Sequence, residues 1–162
     1  MQQIDTTNRP ELADLSTVPA SGRIAALDPG TKRVGVAICD ELRVTTRPLE
    51  VITRESWKKL LEKVRNIVAE YDAGALVIGL PLENDGSESQ MSAEARDMAR
   101  KFALSLEIPV FLQDERSTSY EAKSRLWNRG IDPLHARKLV DSEAASIILS
   151  DFLADLPTPE KL

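Results

Sequence analysis

Arg23-Ile24-Ala25-Ala26-Leu27-Asp28-Pro29-Gly30-Thr31-Lys32-Arg33-Val34-Gly35-Val36-Ala37-Ile38-Cys39 reads as two short apolar runs joined by a Pro-Gly turn. Runs of that length bounded by turn residues are strands, so the segment opens a β-meander. Arg43 to Thr53 reads as its third strand, with Asp40-Glu41 as a polar hairpin tip. Asp28 ends the first run and is followed by the basic turn residues Lys32 and Arg33. A carboxylate at the mouth of a buried strand is costly unless a cation or phosphate uses it. The plain alternative is a turn residue, since Asp before Pro-Gly commonly caps a turn.

Downstream the period changes. Trp57, Leu60, Leu61, Val64, Ile67 and Val68 recur at helical spacing within Ser56 to Tyr71, which predicts an amphipathic helix with Glu62 and Lys63 facing solvent. Gly74 marks its expected end, and Ala75 to Ile78 is a continuous apolar run suited to a strand covered on both faces. Ser87-x-x-Gln90 matches a capping box for a helix carrying Met91, Ala95, Met98, Phe102 and Leu106 on one side. Ile108 to Leu112 supplies the next strand, and Thr118-x-x-Glu121 a further capping box for a helix ending near Gly130. Asp132-Pro133 reads as an N-cap with proline at the first helical position, starting a last helix that runs to about Leu153. The sum is an α/β fold with about five strands in one mixed sheet flanked by helices.

At 162 residues and 42% hydrophobic content the chain suits one well-filled core. Residues 1–22 are polar, hold Pro10 and Pro19 and lack periodicity, so they read as a flexible extension; residues 155–162 read as a tail, leaving a domain of 23–154. No apolar stretch suits a signal peptide or a membrane span, which predicts a soluble protein with no membrane partner. The lone Cys39 cannot form an internal disulfide and fits a reducing cytoplasm. A net charge of −5 confines any nucleic-acid surface to a local basic patch.

Three carboxylates stand out. Glu115 follows the last predicted strand at the carboxyl edge, where open sheets with parallel strands collect ligands; the plain alternative is a solvated residue feeding a helix N-terminus. Asp141 shares a helical face with Ala144, Ala145, Ile148, Leu149 and Phe152, whereas Glu143 and Asp151 are expected to point elsewhere. An inward Asp141 needs a counter-charge, either a basic side chain such as Arg116 or a metal. Convergence of Asp28, Glu115 and Asp141 on one edge favours the metal. Oxygen donors suit Mg2+ or Mn2+, and the chain offers zinc neither clustered cysteines nor several histidines; His135, the lone histidine, reads as a surface residue.

Leu27-Asp-Pro-Gly-Thr-Lys-Arg-Val-Gly-Val-Ala37, Val77-Ile-Gly-Leu-Pro-Leu82 with Asp85-Gly86-Ser87, Asp114-Glu-Arg-Ser-Thr118 and Val140-Asp-Ser-Glu-Ala-Ala145 closely resemble, in order, the motifs of the YqgF family. Its members are described as Holliday-junction-resolvase-like and as candidate pre-16S rRNA nucleases. The resemblance spans about Arg23 to Leu153. It implies a ribonuclease-H-like fold, divalent-metal-dependent phosphodiester hydrolysis, and an acidic set at Asp28, Glu115 and Asp141, the positions the residues themselves single out. Ser117-Thr118 and the residues before Asp85 depart from the common pattern, which bears on substrate preference more than on chemistry.

The expected mechanism is in-line attack by water assisted by two Mg2+ or Mn2+ ions about 4 Å apart. Lys32, Arg33 and Arg116 border the acidic edge and are the expected nucleic-acid contacts, whereas Arg125, Arg129, Arg137 and Lys138 read as ordinary solvated helix charge. Tyr120 and Trp127, seven residues apart, read as packing residues before base-stacking ones. The expected partner is precursor rRNA, alone or in a ribosomal precursor particle, or branched DNA, bound by a monomer or homodimer. A catalytically weak assembly factor stays open as an alternative. An actin-like ATPase shares the Asp-x-Gly-Thr motif but needs a second domain that 162 residues do not supply.

Overall fold

A computed structural model describes residues 13–115 and 133–157, with side chains of 133–142 outside the description. Five strands form one sheet: β1 (Ala25–Pro29), β2 (Arg33–Cys39), β3 (Thr46–Thr53), β4 (Leu76–Leu80) and β5 (Val110–Asp114). Among the described residues three α-helices accompany them: α1 (Trp57–Tyr71), α2 (Gln90–Ser105) and α3 (Pro133–Asp155). The strand order is β3-β2-β1-β4-β5. The meander pairs antiparallel, while β1, β4 and β5 run parallel, so the sheet is mixed as expected.

Strand alternation sorts the side chains into two layers. Ala25, Leu27, Val34, Val36, Ile38, Leu76, Ile78 and Val110 face α1 and α2, against Leu60, Val64, Met98 and Phe102. Ile24, Ala26, Ala37, Cys39, Ala75, Val77 and Phe111 face α3, against Ala145, Ile148, Leu149 and Phe152. The small residues Ala26, Ala37 and Ala75 let this long helix lie close to the sheet. Thr46 Oγ1 ties its far side to the edge strand through hydrogen bonds to Ser146 Oγ (2.8 Å) and Ser150 Oγ (2.9 Å).

Several boundaries differ from the sequence reading for local reasons. Arg43 takes a left-handed φ of 59° and donates from Nε to Gly22 O (2.8 Å), so it belongs to the turn and β3 starts at Thr46. α1 ends at Asp72, itself left-handed at φ 50°, before Gly74 is reached. Ser89, not Ser87, caps α2: its side chain accepts from the Ser92 amide while Ser92 Oγ accepts from the Ser89 amide. Ser87 is held in the preceding turn, where its carbonyl accepts from Glu83 N (2.9 Å). Starting later, α2 buries Ser92, Ala95, Met98, Ala99 and Phe102 and leaves Met91 exposed. β5 runs on to Asp114. Ahead of β1, Ala13 N donates to Val110 O (3.1 Å), and Ala13 and Val18 pack on the α3 side of the core. The predicted Thr118 capping box and the helix after it lie outside the described residues. No described helix is long and apolar enough to cross a membrane.

Candidate active site

Because β1, β4 and β5 are parallel, their carboxyl ends share one edge of the sheet. β1 ends there with Asp28, Pro29 and the turn; β5 ends with Asp114, and Glu115 follows at once with its amide donating to Leu80 O (3.1 Å). The alternation that sends Leu27 toward α1 and α2 sends Asp28 toward α3, and that of Phe111 and Gln113 brings Glu115 to the same side. The two carboxyl groups meet there in a hydrogen bond. Burial first, and then the charge of Asp28, that hydrogen bond and the charge of Asp114, push the Glu115 carboxyl up to about 10. The pair therefore holds on to a proton that a solvated carboxyl would have lost, in the hydrogen bond between Asp28 and Glu115.

The space for this pair comes from glycine. Asp28 is in register with Gly35 on β2, and on its other side Gly79 of β4 lies one residue beyond the Leu27–Ile78 pair. A Cβ built on Gly79 would sit 2.6 Å from Ile148 Cδ1 and 3.2 Å from Glu115 Cδ, with Glu115 Oε2 closer still. Gly79 is thus the floor on which the Glu115 carboxyl rests. The sequence alone assigns Gly79 no part in the site; its role shows once the register sets it beside Asp28.

The turn after Asp28 is built with equal tightness. Gly30 N donates to Arg33 O (2.8 Å), and a Cβ on Gly30 would meet that same carbonyl oxygen at 2.6 Å. Arg54 braces the turn from β3, donating from its amide to Lys32 O (2.9 Å) and from Nη1 to Gly30 O (2.8 Å). Lys32 is exposed on the turn and Arg33 starts β2 half-buried, so both stand on the edge that carries Asp28. The bracing Arg54 is a second residue the sequence reading did not single out; only the pairing of Arg33 with Thr53 brings it to the turn. The Asp85-Gly86-Ser87 segment is a self-bonded turn: Gly86 N donates to Glu83 O (2.8 Å) and Ser87 N to Asp85 Oδ1 (2.8 Å).

Asp141 lies within α3, seven residues or about two helical turns before Ile148, the residue that meets Gly79. Its side chain lies outside the description, as do Arg116, Tyr120 and Trp127 entirely. Glu143, expected off the face that packs on the sheet, is nonetheless buried, at 7% exposed. α3 is buried all round from Glu143 to Leu149. Asp151 is exposed as expected.

Chemically, two contacting carboxyl groups supply hard oxygen donors, and the burial and repulsion that raise Glu115 are what a divalent cation would offset. Among the described side chains no group of three or more His, Cys, Asp or Glu residues converges.

Comparison with known proteins bears on this arrangement. The profile of a family described as "RuvX: Holliday junction resolvase" matches residues 22–155. A protein of Syntrophus aciditrophicus named "Putative pre-16S rRNA nuclease" is 40% identical over 140 residues, covering 86% of this chain and 93% of the relative. One of the same name from Thiobacillus denitrificans is 39% identical over 138 residues, covering 85% and 95%. Among solved structures, Thermus thermophilus RuvC in complex with a Holliday junction superposes with a TM-score of 0.54 at 14% identity, covering 83% of this chain and 98% of that one. The Fowlpox virus resolvase with its junction DNA gives 0.50 at 15% identity, covering 84% and 99%. At such low identity the structures speak to fold alone, and the fold is the expected ribonuclease-H-like one.

Proposed function

Since the chain belongs to the RuvX family, the YqgF family of its sequence resemblance, we propose that it is a divalent-metal-dependent endonuclease that hydrolyses a phosphodiester bond at the 5′ end of precursor 16S rRNA. The observation that carries the reading is the Asp28–Glu115 pair: two carboxyl groups brought into contact at the carboxyl edge, on a glycine floor, at an electrostatic cost that a bound cation would relieve. The names of the relatives supply the substrate.

Asp28, Glu115 and Asp141 would hold Mg2+ or Mn2+. Bound there, the cation activates water and stabilises charge on the leaving oxygen. A cation held there would favour the charged form of both carboxyl groups, offsetting the burial and mutual repulsion that raise Glu115. Lys32 and Arg33, fixed by the Gly30 turn and its Arg54 brace, take the phosphates flanking the cleaved bond, and Arg116, next in sequence to Glu115, joins them. The substrate is met in the cytoplasm, within a ribosomal precursor particle.

The family's own description favours a second reading, resolution of branched DNA. The two separate in a competition experiment with Mn2+, a labelled precursor 16S 5′ end and a labelled four-way junction in one tube. Cleavage confined to the RNA supports the proposal; cleavage confined to the junction replaces it with the second reading. Cleavage of neither by folded protein leaves a nucleic-acid-binding assembly factor as the better description.

A further inference from the structure

We propose that a groove between the start of α1 and the outer face of α2 takes one unpaired nucleotide of the substrate strand, its base against Trp57 and its phosphate at Arg54. The inference rests on the nuclease reading, because it places this nucleotide beside the cleaved bond.

The groove is a cavity of about 400 Å3 whose lining includes Arg54, Trp57, Gln90, Glu94, Asp97 and Lys101. Three features point to a nucleotide. The first is position. β3 runs parallel to β1 through the intervening antiparallel β2, so Arg54, just past its end, stands on the carboxyl edge. Its side chain bonds Gly30 O in the turn that follows Asp28 (2.8 Å). Asp28 looks toward α3 and the groove opens toward α1 and α2, so a strand cut at Asp28 passes over this turn to reach the groove.

The second is the platform. Trp57 is half-buried and anchored edge-on against Phe102, with ring centroids 4.7 Å apart at 61°. The flexible Lys101 lays its Nζ over the indole, 5.6 Å from the ring centroid. A flat base can displace that ammonium and stack, exchanging a cation–π contact for base–aromatic stacking and freeing a cation at the rim.

The third is charge. Glu55, Glu94 and Asp97 also line the groove, so it is no track for phosphates. Glu55 pairs with Lys59 (2.5 Å), and Asp97 with Arg100 and Lys101. Gln90 and Glu94, one helical turn apart on α2, offer donor and acceptor groups to the edge of a base. Phosphate fits only the Arg54 end. An interior suited to a base and a rim suited to one phosphate describe an unpaired nucleotide; a continuous duplex keeps its bases stacked and cannot supply one.

The chain has two tryptophans, so in a Trp127→Phe background Trp57 reports on its own groove. The probe is a single-stranded oligoribonucleotide of about ten nucleotides, matched to the site size of single-strand binders, and its fully paired duplex, both in EDTA so that no bond is cut. The expected result is saturable quenching of Trp57 by the single strand and not by the duplex. Trp57→Leu should then weaken single-strand binding roughly 5- to 100-fold by anisotropy, and Arg54→Gln should lower the salt slope by about one. Binding without quenching, equal quenching by duplex, or no binding overturns the inference. Quenching in a protein that cuts nothing with Mn2+ keeps the groove and removes the nuclease reading, whereas cleavage without quenching does the reverse.

Discussion

Replacing Gly79 with alanine tests whether that glycine exists to seat Glu115. The new Cβ would stand 2.6 Å from Ile148 Cδ1, where ordinary contact begins near 3.4 Å, so the Ile148 methyl must retreat by about 0.8 Å (3.4 − 2.6) and the nearer Glu115 carboxylate oxygen by more. Both are side-chain ends, so the fold gives way locally, with an overpacking cost of about 1–3 kcal/mol. At about 3 °C per kcal/mol for a domain of this size, the midpoint falls by roughly 3–10 °C. Catalysis is less forgiving: displacing a reacting group by about 1 Å costs on the order of 10²-fold. The assay pairs thermal unfolding with single-turnover Mn2+-dependent cleavage, both below the variant's midpoint. A folded variant that keeps cleavage within threefold of wild type would refute the seating argument, and so would a collapse of the fold itself.

Three further outcomes follow from the same geometry. Glu115 has its folded pKa raised from 4.5 to about 10, so between these values the folded state holds a proton that the unfolded state has lost; stability is greatest below 4.5 and falls as pH rises toward 10. Over the 2.5 units from 4.5 to 7, at about 1.4 kcal/mol per unit, the loss is about 3 kcal/mol. Urea unfolding in EDTA at pH 5 to 8 should therefore show a downward slope in wild type that Glu115→Gln abolishes, and parallel slopes in the two proteins would contradict the pairing. Replacing Lys32 and Arg33 together with alanine should flatten the dependence of log Kd on log salt by up to about two, read by anisotropy; an unchanged slope removes them from the interface. Thr46→Val takes away both hydroxyl contacts to α3 and leaves Ser146, 4% exposed, short of a partner, so unfolding free energy should drop by about 1–3 kcal/mol; a drop under 0.5 kcal/mol, about the scatter of neutral surface changes, would show water making up the loss.

Much of this arrangement is legible in the chain because the decisive signals are local. The apolar runs around Asp28, the helical spacing from Trp57 to Val68 and the run before Gly79 each state their element without help from the rest. Cap choice is less local: Ser87 and Ser89 both suit a helix start, and the hydrogen bond from Glu83 to Ser87 settles it in favour of Ser89. Asp28 and Glu115 were found by their strand ends, but their contact depends on the parallel register of β1, β4 and β5. Gly79 and Arg54 were invisible for that reason, since each acts on a residue more than twenty positions away. The burial of Glu143 was not legible, because helical periodicity says which residues share a face and not whether a second face is covered, as it is in α3 over that stretch.

The central claim is that Asp28 and Glu115 form the working centre of a metal-dependent nuclease. Its most direct test is Mn2+-dependent cleavage of the precursor 16S 5′ end by wild type, Asp28→Asn and Glu115→Gln, each first shown to unfold cooperatively. The account predicts cutting by wild type that stops in EDTA and a loss of at least about 10²-fold in each variant. Cleavage by both variants at the wild-type rate would contradict it.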